Sequence, residues 1–156
     1  MKLDTTHATE ENTMLLAYAL NAPTNNDLGT LEFGKDMWEP DEPAMWQKDL
    51  TGLLMHWIEV GQPDEKRISR ASSRSKKVSV YSFSSSTPTW WSGIAGQLTR
   101  AKNLAVWQIP AEQSQQLLLA LHHPNVVMAA QRIEVEPCHG VALGRPSGVP
   151  GQRRFP

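Results

Sequence analysis

The chain has 156 residues, 15 lysines and arginines against 16 aspartates and glutamates, and a formal net charge of −1. That length supports one domain with a single core, and 40% hydrophobic with 20% charged residues is ordinary for a soluble protein. The lone cysteine, Cys138, excludes an intramolecular disulfide and a multi-thiolate zinc site. No apolar run approaches the ~20 residues of a membrane span, and MKLDTTHATEEN lacks a signal-type apolar stretch, so a reducing cytoplasm and no membrane partner are expected.

TEENTMLLAYAL (9–20) predicts a helix. Thr9 can cap it, Glu10 and Glu11 suit its positive end, and Met14, Leu15 and Tyr18 share a face. NAPTNNDLG (21–29) is punctuation, and TLEF (30–33) is a short strand. In 34–52, Pro40 and Pro43 bracket an acidic pair, and a short helix is expected over 44–50. LLMHWIEV (53–60) is a β run too apolar on both faces for a half-exposed strand.

Pro63, followed by Asp64 and Glu65, opens a helix over 63–73. KVSVYSF (77–83) is the next strand, rich in β-branched and aromatic residues. SSSTP (84–88) is a loop ending in a capped, proline-led helix start, after which Trp91, Ile94 and Leu98 line one face. NLAVWQI (103–109) is a further strand, and Pro110 opens a helix with Leu117, Leu118 and Leu121 inward. Strand–helix alternation with short connections implies right-handed crossovers and a parallel sheet covered on both faces, hence an α/β core. Beyond His123, PNVVMAAQRIEVEP offers one or two strand segments. One domain is therefore expected over 1–135, with a poorly ordered Gly/Pro/Arg-rich tail over 136–156.

The neutral balance hides an asymmetry. KRISRASSRSKK (66–77) carries six cations and no anion, while carboxylates gather upstream at Asp36, Glu39, Asp41, Glu42 and Glu59. Such a run is either a solvated helix face or a surface for a polyanion. Glu59 is the penultimate residue of its strand, at the carboxyl edge where open α/β sheets bind ligands. The helix opening at Pro63 turns free N–H groups to the same edge, which favours an anion. Alternation sets Glu59 on one face with Trp57 and Gly61. Either Glu59 is a strand end held by a hydrogen bond, or it is one ligand of a metal site. Mg²⁺ needs only one or two carboxylates, with water and phosphate oxygens completing its shell. Asp41 and Glu42 are the nearest supply of a second acid, although either serves equally well as a helix cap.

The strings DEPAMWQKDLTG, WIEVGQPDEKRI, RSKKVSVYSF, WW and IPAEQSQQLLLAL occur in that order. From about His7 to Leu121 the chain resembles the YaeQ family of bacterial proteins. The resemblance implies a PD-(D/E)XK nuclease-like architecture: a mixed, largely parallel sheet flanked by helices around a restriction-endonuclease-like core. It further implies an acidic metal site and a lysine. Asp41 or Glu42 would stand for the first acid and Glu59 for the second, but Gly61 occupies the place of the motif lysine. Gln62 offers a polar contact there. Lys66, one turn into the helix, is the candidate to return an ammonium to the strand end, and Lys77, entering at the opposite edge, is the poorer one. Strand segments ahead of the first helix are also implied.

The function this suggests is nucleic-acid binding with Mg²⁺- or Mn²⁺-dependent phosphodiester hydrolysis. Asp41, Glu59 and Lys66 would be catalytic, with Asp41, Glu42 and Glu59 holding the metal. Gln62, Arg67, Arg70, Arg74 and Lys77 would hold the phosphate backbone. The rival is a catalytically inactive fold that binds nucleic acid or protein; a small-ligand binder comes third. His56, opposite in parity to Glu59, reads as a satisfied core histidine, and His122 and His123 as surface residues. Trp90 and Trp91 read as one core residue and one surface or interface residue. There is no GxGxxG after a strand and no phosphate-loop motif in SFSSSTPTWW.

Overall fold

The computed structural model describes residues 5–23, 27, 29–35, 39, 41–109, 124–125 and 136–138. In chain order the elements are α1 (Thr5–Asn21), β1 (Leu31–Phe33), β2 (Met45–Lys48), β3 (Leu54–Val60), α2 (Glu65–Arg74) and β4 (Lys77–Ser82). α3 (Thr87–Ile94) continues into a 3₁₀ turn (Ala95–Gln97), and β5 (Leu104–Gln108) and β6 (Glu136–Pro137) follow. The six strands form one sheet in the order β1-β2-β3-β4-β5-β6. β1, β2 and β3 form an antiparallel meander, β3, β4 and β5 run parallel, and β6 pairs antiparallel with β5.

The fold is therefore mixed α/β, but not largely parallel. The antiparallel part arises from residues 44–50, expected to be helical, of which Met45–Lys48 form β2. Met45 pairs with Ile58 and Trp46 with Trp57 across the β2–β3 hairpin. The two indoles meet edge to face at 6.4 Å, and the Lys48 ammonium lies 3.7 Å over the Trp46 ring. Cross-strand aromatic pairing of this kind outweighs the weak helical preference of seven residues. Asp49 sets the turn. Its Oδ1 accepts from the Thr51 amide (2.8 Å), the Thr51 hydroxyl (2.6 Å) and the Leu53 amide (2.9 Å). Those bonds, the Thr51 hydroxyl foremost, hold the Asp49 carboxyl below its ordinary value.

Helices cover both faces. On one, Leu16, Ala17 and Leu20 of α1 pack with Met45, Ile58, Tyr81 and Trp107. On the other, Ile68 and Ala71 of α2 and Trp91 of α3 pack with Trp57, Val78, Val80 and Val106. Ile58 and Ile68 are fully buried, each contributing about 1.5–3 kcal/mol. α1 begins earlier than expected and turns a different stripe inward. Thr13, Leu16, Ala17 and Leu20 are buried at helical spacing, while Leu15 and Tyr18 are exposed. Tyr18 stacks on Phe33 of the edge strand, at 5.3 Å. MLLAYAL holds two overlapping apolar stripes, and periodicity alone cannot choose between them.

Trp91 is buried and Trp90 half-buried, as expected of that pair. The helix expected after Pro110, His122 and His123, and the 140–156 segment lie outside the described residues. Glu136–Pro137 pair with β5 and Cys138 is buried in the core, so the folded unit runs past residue 135. Among the described residues no helix is long and apolar enough to cross a membrane.

Candidate functional site

The antiparallel step between β2 and β3 decides what meets Glu59. Residues leading into β2 lie at the edge where β3 ends, so Asp41 and Glu42 arrive there through the hairpin. Gly34 holds that lead-in close. Its amide donates to Ala44 O at 3.0 Å, and a Cβ on it would meet Pro43 O at 2.1 Å. Position 34 therefore admits no side chain without moving the Pro43 backbone.

Glu59 is buried, its side chain only 5% exposed. It faces α2 with Trp57, as alternation requires, and Trp57 Nε1 donates to its Oε1 at 2.8 Å. The same oxygen accepts from Arg67 Nε at 2.8 Å. Arg67 Nη2 donates to the backbone oxygen of Glu42 at 2.6 Å, so one guanidinium ties β3 to the segment before β2. Burial pushes the Glu59 carboxyl above its ordinary value, and the bonds from Trp57 and Arg67 pull the other way. Charge and geometry agree that Glu59 depends on Arg67.

α2 explains why it is Arg67. Asp64 caps the helix, accepting from the Arg67 amide at 2.7 Å, so the first turn starts at Glu65. That phase buries Ile68 and Ala71 and leaves Arg67 on the flank beside β3. Lys66 lies two residues from Ile68, about 200° of helical turn, and is exposed on the outer side. The helix thus delivers Arg67 to Glu59 and not Lys66.

The other acids have partners of their own. Asp41 Oδ1 accepts from Arg70 Nη1 at 2.8 Å and lies 3.8 Å from Arg74 Nη1, in an exposed network. Glu42 Oε2 accepts from the Lys35 amide at 2.8 Å. Among the described residues no three His, Cys, Asp or Glu side chains gather as a metal set. With a guanidinium on Glu59 and separate donors on Asp41 and Glu42, this arrangement does not fit a divalent cation shared by the three.

The motif-lysine position has its own explanation. Gly61 adopts φ +97° while its amide donates to Tyr81 O at 2.8 Å, and a Cβ there would meet open space. Conformation, not crowding, excludes lysine, at a cost of roughly 1–2 kcal/mol for an L side chain. Gln62 Nε2 donates to Ser86 Oγ at 2.9 Å, and Trp90 Nε1 donates to Pro63 O at 3.1 Å, fastening the β3–α2 and β4–α3 loops together. Lys77 begins β4, opposite His56 in register and at the far edge from Glu59. It is half-buried, and burial lowers its pKa.

So the structure brings Asp41, Glu42, Glu59, Arg67, Arg70 and Arg74 into one neighbourhood, with Gln62 on the adjoining loop. It sets Lys66 on the outside of α2 and Lys77 at the opposite edge. The bridging role of Arg67 and the bond from Trp57 went unread in the sequence. Alternation sets Trp57 on one face with Glu59, but a hydrogen bond does not follow from parity.

A family model described as "YaeQ protein" matches residues 7–130. A curated relative named "Uncharacterized protein YaeQ" from Escherichia coli (strain K12) is 33% identical over 85 residues, 53% of this chain and 46% of its own length. Its namesake from Salmonella typhi is 33% identical over 89 residues, 56% of this chain and 49% of its own. The chain thus spans about half the length of the curated relatives it matches. Among solved structures, the YaeQ protein from Xanthomonas axonopodis pv. citri superposes with a TM-score of 0.61 at 34% identity, covering 70% of this chain and 59% of that one. The YaeQ protein from Pseudomonas syringae gives 0.61 at 32%, with 75% and 61% covered. The family model spans most of the chain, including the segment that carries Glu59 and Arg67, and the relatives and solved structures bear the same family name: the chain belongs to the YaeQ family.

Proposed function

We propose that the chain is a nucleic-acid-binding module on a restriction-endonuclease-like core of the PD-(D/E)XK type, whose acidic edge is neutralised from within and does not cleave. The observation that carries this reading is the Arg67 guanidinium bonded to buried Glu59 at 2.8 Å. A resident cation at that carboxylate does the charge balancing that a metal would do in a nuclease.

Binding is supported by the outer face of α2. Lys66, Arg70 and Arg74 recur every four residues, about 6 Å apart along the axis, and all three are exposed. Arg70 and Arg74 pair with Asp41, but these groups are about half exposed, so the contacts contribute at most about 1 kcal/mol each. A phosphate backbone can displace Asp41 at little cost. One observation favours a second reading, metal-dependent hydrolysis: the hairpin does bring Asp41 and Glu42 to the edge of Glu59.

Fluorescence anisotropy on labelled single- and double-stranded DNA and RNA across a salt series separates these readings. Affinity is expected to fall steeply with salt, and Arg70→Gln with Arg74→Gln to reduce the log–log slope by about 1.4–1.8. Salt-independent binding, or none at low salt, overturns the module. In parallel, calorimetry with Mg²⁺ and Mn²⁺ is expected to give no binding and a nuclease assay no cleavage. Metal binding with cleavage, both abolished in Glu59→Gln, would establish hydrolysis instead.

A further inference from the structure

A concavity of about 670 Å³ lies between the C-terminal half of α2 and the 97–103 segment that leads into β5, and Glu59 is not among its lining residues. Arg100 and Lys102 line it, both exposed, with Ser69 and Ser73 on the facing wall and Leu98 among the apolar lining. No carboxylate lines it. In a chain of net charge −1, a recess with two cations, several hydroxyls and no acid is a local positive well.

Both walls are fixed. Asn103 Nδ2 donates to Ser72 O at 3.0 Å and to Ser75 O at 2.9 Å, while its Oδ1 accepts from Ser72 Oγ at 2.5 Å. Leu98 is buried and anchors the loop, which is closed by Ala101 N to Leu98 O (3.0 Å), Lys102 N to Arg100 O (3.0 Å) and Leu104 N to Ala101 O (3.2 Å). A preformed recess loses less entropy on binding than one that must be ordered.

The end of α2 works against an anion, because unsatisfied carbonyls collect in the last turn of a helix. Here two of them, those of Ala71 and Ser72, are occupied. Arg70 O accepts from Ser73 Oγ at 2.8 Å, Ala71 O from the Ser75 amide at 3.1 Å and Ser75 Oγ at 2.9 Å, and Ser72 O from Asn103. The Ser72 and Ser73 hydroxyl protons are used within the protein, so what remains for a ligand is the two cations and the Ser69 hydroxyl.

We propose that this groove binds a phosphate ester, its oxygens held by Arg100, Lys102 and the Ser69 hydroxyl and its organic part over Leu98. Charge-assisted bonds from a guanidinium and an ammonium are the strong kind for such a group. The site is separate from Glu59 and from the outer stripe of α2, and it stands whether or not that stripe binds nucleic acid. Its source is either a free nucleotide or the terminal phosphate of a strand.

The test is amide NMR on the full chain, titrated with inorganic phosphate, a nucleoside monophosphate and a 5′-phosphorylated single strand, with chloride at matched ionic strength as control. Phosphate and at least one ester are expected to shift amides of 97–103 together with those of 69–73. Arg100→Gln with Lys102→Gln should weaken binding by about tenfold or more, and Arg70→Gln with Arg74→Gln should leave the response to inorganic phosphate and to the monophosphate unchanged. A response to the monophosphate assigns the free nucleotide, and a response only to the strand assigns the strand end. Equal shifts with chloride, or no shift at either wall, overturn the proposal.

Discussion

Arg67→Met is expected to lower the free energy of unfolding by about 3–5 kcal/mol, measured by urea denaturation near neutral pH. The loss comes from stranding a charge. Glu59 stays buried, with the Trp57 indole donating to its Oε1 but no cation beside it, once the guanidinium is gone. Glu59→Gln should cost far less, about 1 kcal/mol, because an amide oxygen still accepts from Trp57 and Arg67, and Arg67 keeps its bond to Glu42 O. The double variant Glu59→Gln/Arg67→Met should recover much of the single Arg67→Met loss. The sign with pH follows. Glu59 in the folded chain sits above its ordinary value because of burial, so the fold takes up its proton more readily than the unfolded chain does. This group's contribution therefore favours the fold below its unfolded value and is lost as pH rises through the folded one. Without Arg67 that effect grows, and the deficit of Arg67→Met should shrink on acidification. An Arg67→Met variant as stable as wild type would mean that Glu59 needs no cation.

The acid limb of the stability curve is expected to be governed largely by His56. Its pKa is lowered to about 3, by burial first and by the Lys77 charge second, and its Nε2 is bonded to Ser79 Oγ at 2.8 Å. A base with a depressed folded value binds its proton in the unfolded chain first. Stability from His56 is complete above about pH 6.5 and is lost as pH falls toward about 3, with a slope approaching 1.4 kcal/mol per pH unit, roughly one proton. Glu59 opposes this over the upper part of its own window, so the difference between proteins is the clean quantity. His56→Gln should be less stable near neutral pH and show a flatter decline between about pH 6.5 and 4. Parallel curves for the two proteins would show that His56 titrates alike folded and unfolded.

Much of the fold was legible because periods and caps act locally. The boundaries of β3, β4, β5 and α2 were readable within two residues from LLMHWIEV, KVSVYSF, NLAVWQI and the Pro63–Asp64 start. His56 as a satisfied core residue and the split roles of Trp90 and Trp91 also followed from position alone. β2 was not legible. AMWQKDL carries no strong period, and what makes it a strand is Trp57, eleven residues away from Trp46. The polarity of the sheet went with it, since a helix at 44–50 left nothing to run antiparallel beside β3. At the edge, the acids were identified but their partners were not. Lys66 and Arg67 are neighbours in sequence, and only the Asp64 cap fixes which of them turns toward Glu59. That choice is a matter of helical phase, and a one-residue change in the start of α2 reverses it.

The Asp49 turn carries a kinetic consequence. β2 and β3 are joined by a few residues already braced by Asp49, so their pairing closes a short loop on the microsecond scale of hairpins. Joining β3 to β4 requires the whole α2 crossover and a larger loss of chain entropy. Asp49→Ala is therefore expected to slow folding, whereas Arg67→Met should mainly hasten unfolding, a contrast that chevron plots of the two variants resolve. Glu59 would then cross the folding barrier with its water still on, and its desolvation would fall on the downhill side, where the arriving guanidinium takes the water's place.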